Sequence, residues 1–244
     1  ALKSNTSRHY RDKALRPFFH WLTGQAPKKA TGLACLEYPP LTQDPMAFVP
    51  REKYKKKHPT EVLTLAEVFR VLDEARKEKP GVLSWVIWLM FTGMRPEAEA
   101  IPFWAVPDPD QPGQLPEQGW SKIDLERWQI MVTDDLEKTG AVNRDVTIQP
   151  CLREWIQYLQ KHRPTYSRRA LRRIFEKAIP QKRTQDILRH TCISFALKIM
   201  KESDLCYEAA TSSKMIKKHY RRQIPQSEAD KFWAITPAIL GLPP

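Results

Sequence analysis

The order of apolar and polar positions changes period along the chain. Residues 7–23, SRHYRDKALRPFFHWLT, place Tyr10, Ala14, Leu15, Phe18, Phe19 and Leu22 on one helical stripe. A single helix cannot bury such a stripe alone. Residues 24–59 lose the period and fill with proline and lysine, ending in PREKYKKKHP, which predicts a basic linker and a domain boundary. TLAE at 64–67 is a capping box, in which Thr64 caps and Glu67 reaches back, so a helix opens there and runs to about Lys77. GVLSWVIWLMF (81–91) is apolar on every side and too short to span a bilayer. It predicts a buried helix that starts near Pro80 and stops at Gly93. Proline-rich residues 105–120 read as a surface loop.

The period then shortens. RWQIMV (127–132) and RDVTIQ (144–149) predict two strands around a turn. Helical spacing returns in CLREWIQYLQKH (151–162), SRRALRRIFEKA (167–178) and TQDILRHTCISFALKIM (184–200), the last two with Ser167 and Thr184 as N-caps. SSKMIKKHYRR is a further helix, and SEADKFWAI (227–235) a final one before a proline-terminated tail. The pattern predicts a mainly α protein with a small antiparallel sheet.

Charge sharpens this picture. The 244 residues carry a net +12, distributed as +8 over 1–60, −7 over 61–160 and +12 over 161–222. Two basic segments flanking an acidic one predict a charged groove built from both ends of the chain. Such a balance favours a polyanion, most commonly nucleic acid, although an anionic membrane surface would attract the same charge. Cys35, Cys151, Cys192 and Cys206 form no CxxC pair and no zinc spacing, which reads as a reducing compartment without a disulfide framework. No signal peptide is visible, and an opening at Ala1 without methionine is expected of a fragment or a processed chain.

Candidate chemistry gathers in four short segments. FTGMRPEAE places Arg95 just past the buried helix, LEKTG places Lys138 at the hairpin turn, DILRHT places Arg189 early in a helix, and KMIKKHY ends in Tyr220. Guanidinium forks match two non-bridging phosphate oxygens, and basic neighbours favour the phenolate form of a tyrosine. The order and separations of these segments resemble the tyrosine recombinase (phage integrase) family over about residues 60–237.

The resemblance implies a mainly α catalytic domain with a three-stranded antiparallel sheet over residues 59–244. Residues 1–58 would then be the end of a DNA-binding core domain and its linker. It implies Tyr220 as nucleophile, Arg95 and Arg189 as phosphate clamp, and Lys138 as the acid for the departing 5′-oxygen. The product would be a 3′-phosphotyrosine linkage, with no cofactor and no metal required. The expected partner is double-stranded DNA, held by Arg51, Lys53, Lys55, Lys56, Lys57, Arg168, Arg169, Arg172, Arg173, Lys214, Lys217, Lys218, Arg221 and Arg222. A homotetramer on DNA is also implied, with Phe232 and Trp233 anchoring a neighbouring subunit or folding back in cis. The setting implied is cytoplasmic, at the nucleoid, and not a membrane.

Two positions depart from the family pattern: Asp186 and Thr211 stand where histidine, and histidine or tryptophan, are usual. Asp186 is expected to orient Arg189 and to accept the Tyr220 proton, or else to serve only the helix dipole. Thr211 can donate to a phosphate oxygen or cap the tyrosine-bearing helix. His190 and His219 are accessory candidates, although each points about 100° away from its catalytic neighbour on a helix. A catalytically impaired DNA-binding relative, a type IB topoisomerase-like activity and a basic helical interaction module remain as alternatives.

Overall fold

The structure, a computed structural model, describes residues 15–16, 18–19, 21–23, 41–45, 47, 61–104, 118–133, 143–181, 186–220 and 224–243. The chain divides into two compact units, Ala1–His58 and Pro59–Pro244. In the first, Leu15, Arg16, Phe18, Phe19, Trp21 and Leu22 are helical, and the Thr23 N–H donates to the Phe19 carbonyl at 3.1 Å. The basic run Arg51, Lys53, Lys55, Lys56 and Lys57 lies outside the described residues.

The second unit is organised around the all-apolar helix. Helix α1 (Leu65–Arg76) opens on the capping box: the Glu67 N–H donates to Thr64 Oγ1, and Glu67 Oε2 accepts from the Thr64 N–H at 2.8 Å. Helix α2 (Pro80–Thr92) begins on Pro80, whose missing N–H costs nothing in the first turn. Every residue of α2 from Val82 to Thr92 is buried. Around it pack α1, α5 (Pro150–Lys161) and α7 (Ile187–Ala196). Helix α6 (Arg168–Ala178), capped by Ser167, packs on α1.

After α2 the chain makes one π-helical turn, Pro96–Ala100, and a short helix α3 (Ile101–Trp104). Helix α4 (Gln118–Ser121) occupies the end of the segment expected to be loop. The sheet is antiparallel in the order β1 (Ile123–Asp124), β2 (Gln129–Val132), β3 (Arg144–Thr147), with Ile130 opposite Val146 and Val132 opposite Arg144. Strand β2 starts two residues later than its sequence period predicts, because Trp128 turns at φ +56° beneath the Arg153 guanidinium, 4.8 Å from its ring centroid. Strand β1 is too short to show a period in sequence.

Two further differences concern the C-terminal third. Helix α7 starts at Ile187 with Asp186 in the cap position, instead of at Thr184. A helix absent from the sequence reading, α8 (Glu202–Glu208), precedes α9 (Ser213–His219). Its seven residues bury only Leu205, too few to write a helical stripe.

Helix α10 (Gln226–Phe232) is seated in cis. Phe232 is fully buried and stacks on Phe195, with ring centroids 4.3 Å apart and planes inclined by 16°, and it touches Phe91. The Trp155 indole N–H donates to the Ile235 carbonyl at 3.0 Å. Of the two arrangements expected for Phe232, a neighbouring-subunit contact or packing in cis, the structure shows the cis one. Phe232→Ala is expected to lower stability by about 3–5 kcal/mol, measured as a shift in the urea midpoint. No described helix is long and apolar enough to cross a membrane.

Candidate active site

The site is built where two helices end. Helix α2 stops at Gly93, whose φ of +64° suits glycine, and a Cβ there would lie 3.2 Å from Cys192 Sγ. The chain leaves that turn with Arg95 as the cap of the π turn. The Arg95 N–H donates to Glu99 Oε2 at 2.9 Å, its Nη1 donates to Glu99 Oε1, and its Nη2 donates to the Ala210 carbonyl at 2.8 Å. The Ala100 N–H reaches back five residues to the Arg95 carbonyl at 2.9 Å. That wider turn aims Glu99 inward, where none of it is exposed.

Arg189, on α7, is 4% exposed. Its Nη1 donates to the Gly93 carbonyl and its Nη2 to the Ala209 carbonyl. Helix α8 ends in a Schellman pair: Ala210 N–H to Tyr207 O and Thr211 N–H to Cys206 O, both 3.0 Å, with Ala210 left-handed at φ +41°. The last carbonyls of a helix have no partner within it, and a cation there meets the negative end of the helix dipole. Arg95 and Arg189 fill that role for α2 and α8, and thereby acquire fixed orientations.

Glu99 joins the two arginines. Besides Arg95 it accepts from Arg144 Nη2 on β3 at 3.0 Å, and Arg189 Nη1 stands 3.8 Å away. Arg144 is 3% exposed. Burial pushes the Glu99 carboxyl up, but Arg144, Arg189 and the Arg95 N–H and guanidinium outweigh it and hold the group below the usual carboxylate range. Three guanidiniums thus gather on one carboxylate.

Tyr220 follows α9, its N–H donating to Ile216 O at 2.9 Å. It is 7% exposed and packs with Ile193, Ala196, Leu205, Ala209 and Ile216. Burial, reinforced by Arg95, lowers the Arg189 pKa, while Glu99 and Tyr220 draw it back up. The His190 ring stands edge-on to Tyr220 with centroids 5.3 Å apart, nearer than His219 at 6.5 Å. Burial, reinforced by Arg189, lowers the His190 pKa against the pull of Asp186, so its neutral form is favoured.

The structure thus brings together Arg95, Arg189, Tyr220 and His190. Lys138, Arg221 and Arg222 lie outside the described residues. Asp186 forms no ion pair with Arg189; Glu99 and the two helix-end carbonyls orient that guanidinium instead, which corrects the orienting role expected for Asp186. Ser212, not Thr211, caps α9, accepting from the Met215 N–H at 3.3 Å. On α6, Arg173 donates twice to Glu78 (3.0 and 2.7 Å) and Arg172 donates to Glu176 (2.8 Å). Those two cations are paired within the chain, whereas Arg168 and Arg169 are exposed; Arg168 and Arg172 both line a cavity of about 470 Å³. On α9, Lys214 and Lys218 are exposed, and Lys217 stands 3.9 Å from Glu202.

Sequence reasoning missed Glu99, Arg144 and the carbonyls of Ala209 and Ala210. Arg144 had a legible signal: in RDVTI it shares a strand face with Val146 and Ile148, and an arginine on an inward face demands a buried counter-charge. RPEAE offered two glutamates, and only the π turn decides that Glu99 points inward.

No family model matches the chain, and no curated protein matches it. Among solved structures it is similar to an integrase from mycobacterium phage Brujita, at 17% identity and a TM-score of 0.44, covering 97% of this chain and 74% of that one. It is also similar to XerA recombinase, at 18% identity and a TM-score of 0.47, covering 94% and 76%.

Glu99→Ala is expected to cost about 3–5 kcal/mol in urea unfolding, because Arg144 and Arg189 stay buried without their carboxylate. The folded pKa of Glu99 lies below its ordinary 4.5, so its contribution is complete above pH 4.5 and is lost as pH falls through the folded value. Urea midpoints measured downward from pH 4.5 should fall less steeply in Glu99→Gln than in the wild type.

Proposed function

We propose that this chain is a tyrosine-type DNA recombinase, an integrase-like enzyme that cuts and rejoins DNA strands through a 3′-phosphotyrosine intermediate. The observation that carries the reading is the meeting of Tyr220, Arg189 and Arg95, residues far apart in sequence, at the end of α8, where Tyr220 packs with Ala209 and the two guanidiniums donate to the Ala209 and Ala210 carbonyls. The motif resemblance in the sequence supports it independently.

In the proposed step the Tyr220 oxygen attacks the scissile phosphorus and the bond to the 5′-oxygen breaks. The phenolic proton leaves the tyrosine, and the 5′-oxygen gains a proton from a general acid, for which Lys138 is the candidate. The guanidiniums of Arg95 and Arg189 bear the charge that builds on the non-bridging oxygens. The phosphotyrosine bond keeps the phosphodiester energy, and attack by a 5′-hydroxyl reverses the sequence, so the proposed cycle draws on no cofactor. His190, neutral and edge-on to the Tyr220 ring, is a candidate proton acceptor beside Asp186. Arg169, Lys214 and Lys218 supply exposed cations for backbone phosphates, and affinity should fall steeply with salt. The tetramer implied by the resemblance would be built without Phe232.

One observation favours a second reading, a DNA-binding relative that does not cut. Tyr220 and Arg189 are both nearly buried, so a strand reaches them only if α9 shifts from α8.

A nicked suicide substrate separates the two. The recombinase reading expects a covalent protein–DNA adduct on denaturing gels, abolished in Tyr220→Phe and slowed roughly 100- to 1,000-fold in Arg189→Ala. Salt-sensitive binding without any adduct would establish the second reading and remove the first.

A further inference from the structure

We propose that Glu208 is a positioning residue for the two arginines, acting through the main-chain carbonyls of Ala209 and Ala210. The proposal rests on the reading of Arg95 and Arg189 as a phosphate clamp.

Glu208 is the last residue of α8, immediately before the carbonyls that Arg189 and Arg95 grip. Its carboxylate accepts two hydrogen bonds from Thr147, the last residue of β3: one from Oγ1 at 2.7 Å and one from the backbone N–H at 3.2 Å. The same strand begins with Arg144, which pairs with Glu99. Strand β3 is therefore fastened at both ends to the arginine site, by Glu99 at one end and by Glu208 at the other.

The fastening matters because the turn it holds is strained. Ala210 is left-handed at φ +41°, a conformation that a residue with a Cβ adopts only at a cost. A turn of that kind relaxes unless its surroundings over-determine it. The Schellman bonds tie it to α8, and Glu208 ties the end of α8 to the sheet. Relaxation would rotate the carbonyls of Ala209 and Ala210 away from Arg189 and Arg95, leaving Arg95 with Glu99 alone and Arg189 with the Gly93 carbonyl and Glu99.

Folding alone does not favour a carboxylate here. Burial pushes the Glu208 carboxyl above the usual range, with the two Thr147 bonds only partly opposing it. An apolar side chain would avoid that penalty, but it could not hold the Thr147 N–H and hydroxyl together.

The test compares Glu208→Ala, Glu208→Gln and Thr147→Val in the full chain, each checked by thermal melting. Side-chain NMR of ¹⁵N-arginine protein, assigned with Arg95→Lys and Arg189→Lys, reports whether each guanidinium is held. In the wild type both should show separate, slowly exchanging Nη signals. Glu208→Ala should average them. Glu208→Gln should retain them, since its amide oxygen accepts from the Thr147 N–H and its amide N–H donates to Thr147 Oγ1. In single-turnover cleavage at saturating nicked DNA, Glu208→Ala should be roughly 100-fold slower with unchanged DNA affinity, and Glu208→Gln should recover the wild-type rate. Unchanged arginine signals in a folded Glu208→Ala, or cleavage at the wild-type rate, overturns the proposal. Should Glu208→Ala fail to fold, Thr147→Val decides: broadened Arg189 signals support the proposal, and wild-type signals overturn it. A wild type that forms no adduct removes the recombinase reading, and the NMR comparison then decides the positioning role alone.

Discussion

A carboxylate withdrawn from water without partners costs several kcal/mol, and Glu99 has no exposed surface. It is kept ionised by Arg144, Arg189 and Arg95, and each of those guanidiniums would be a liability of its own without it. The arrangement forces four chain segments to one point: the π turn after α2, strand β3, helix α7 and the end of α8. Removing Glu99, Arg144 or Arg189 leaves charge buried, so the cluster constrains the fold alongside the apolar core.

The second constraint comes from backbone chemistry. Helices α2 and α8 both end in left-handed turns, at Gly93 and Ala210, and both leave carbonyls pointing into the same space. The arginines satisfy those acceptors and are aimed by them. A guanidinium carries five N–H groups, and two from Arg189 are committed to carbonyls. Flexible cations are thereby converted into a fixed set of donors before any ligand arrives, which is the condition under which electrostatic stabilisation of a transition state is large. Tyr220 enters from a different direction, on the apolar underside formed by Ile193, Leu205 and Ile216. Its burial means that the chemistry proposed here is coupled to movement of α9.

Legibility in the sequence followed the length and strength of each signal. The buried helix at 80–92, the capping box at Thr64 and the Ser167 cap were readable because each is a local matter of apolar spacing or of one side chain answering one N–H. Helix α8 was not, since seven residues with one buried apolar side chain carry no periodic signature. The start of α7 was misplaced because Asp186 takes the cap position without a side-chain cap hydrogen bond, so no local capping signal marks it. Asp186 drew attention as the partner of Arg189 through its i, i+3 spacing, yet the partner is Glu99, ninety residues earlier.

The sequence by itself determined the class of the fold, the order of the long helices, and the four positions at which phosphate chemistry was expected. These depend on residue type and on neighbours a few positions away. Only the tertiary structure decided which glutamate turns inward after Arg95, that Arg144 meets it, that carbonyls from two helix ends aim the guanidiniums, and that Phe232 is spent within its own core. Those outcomes depend on the approach of segments separated by tens of residues, where a single π turn or one left-handed alanine redirects a side chain, and no local spacing records that approach.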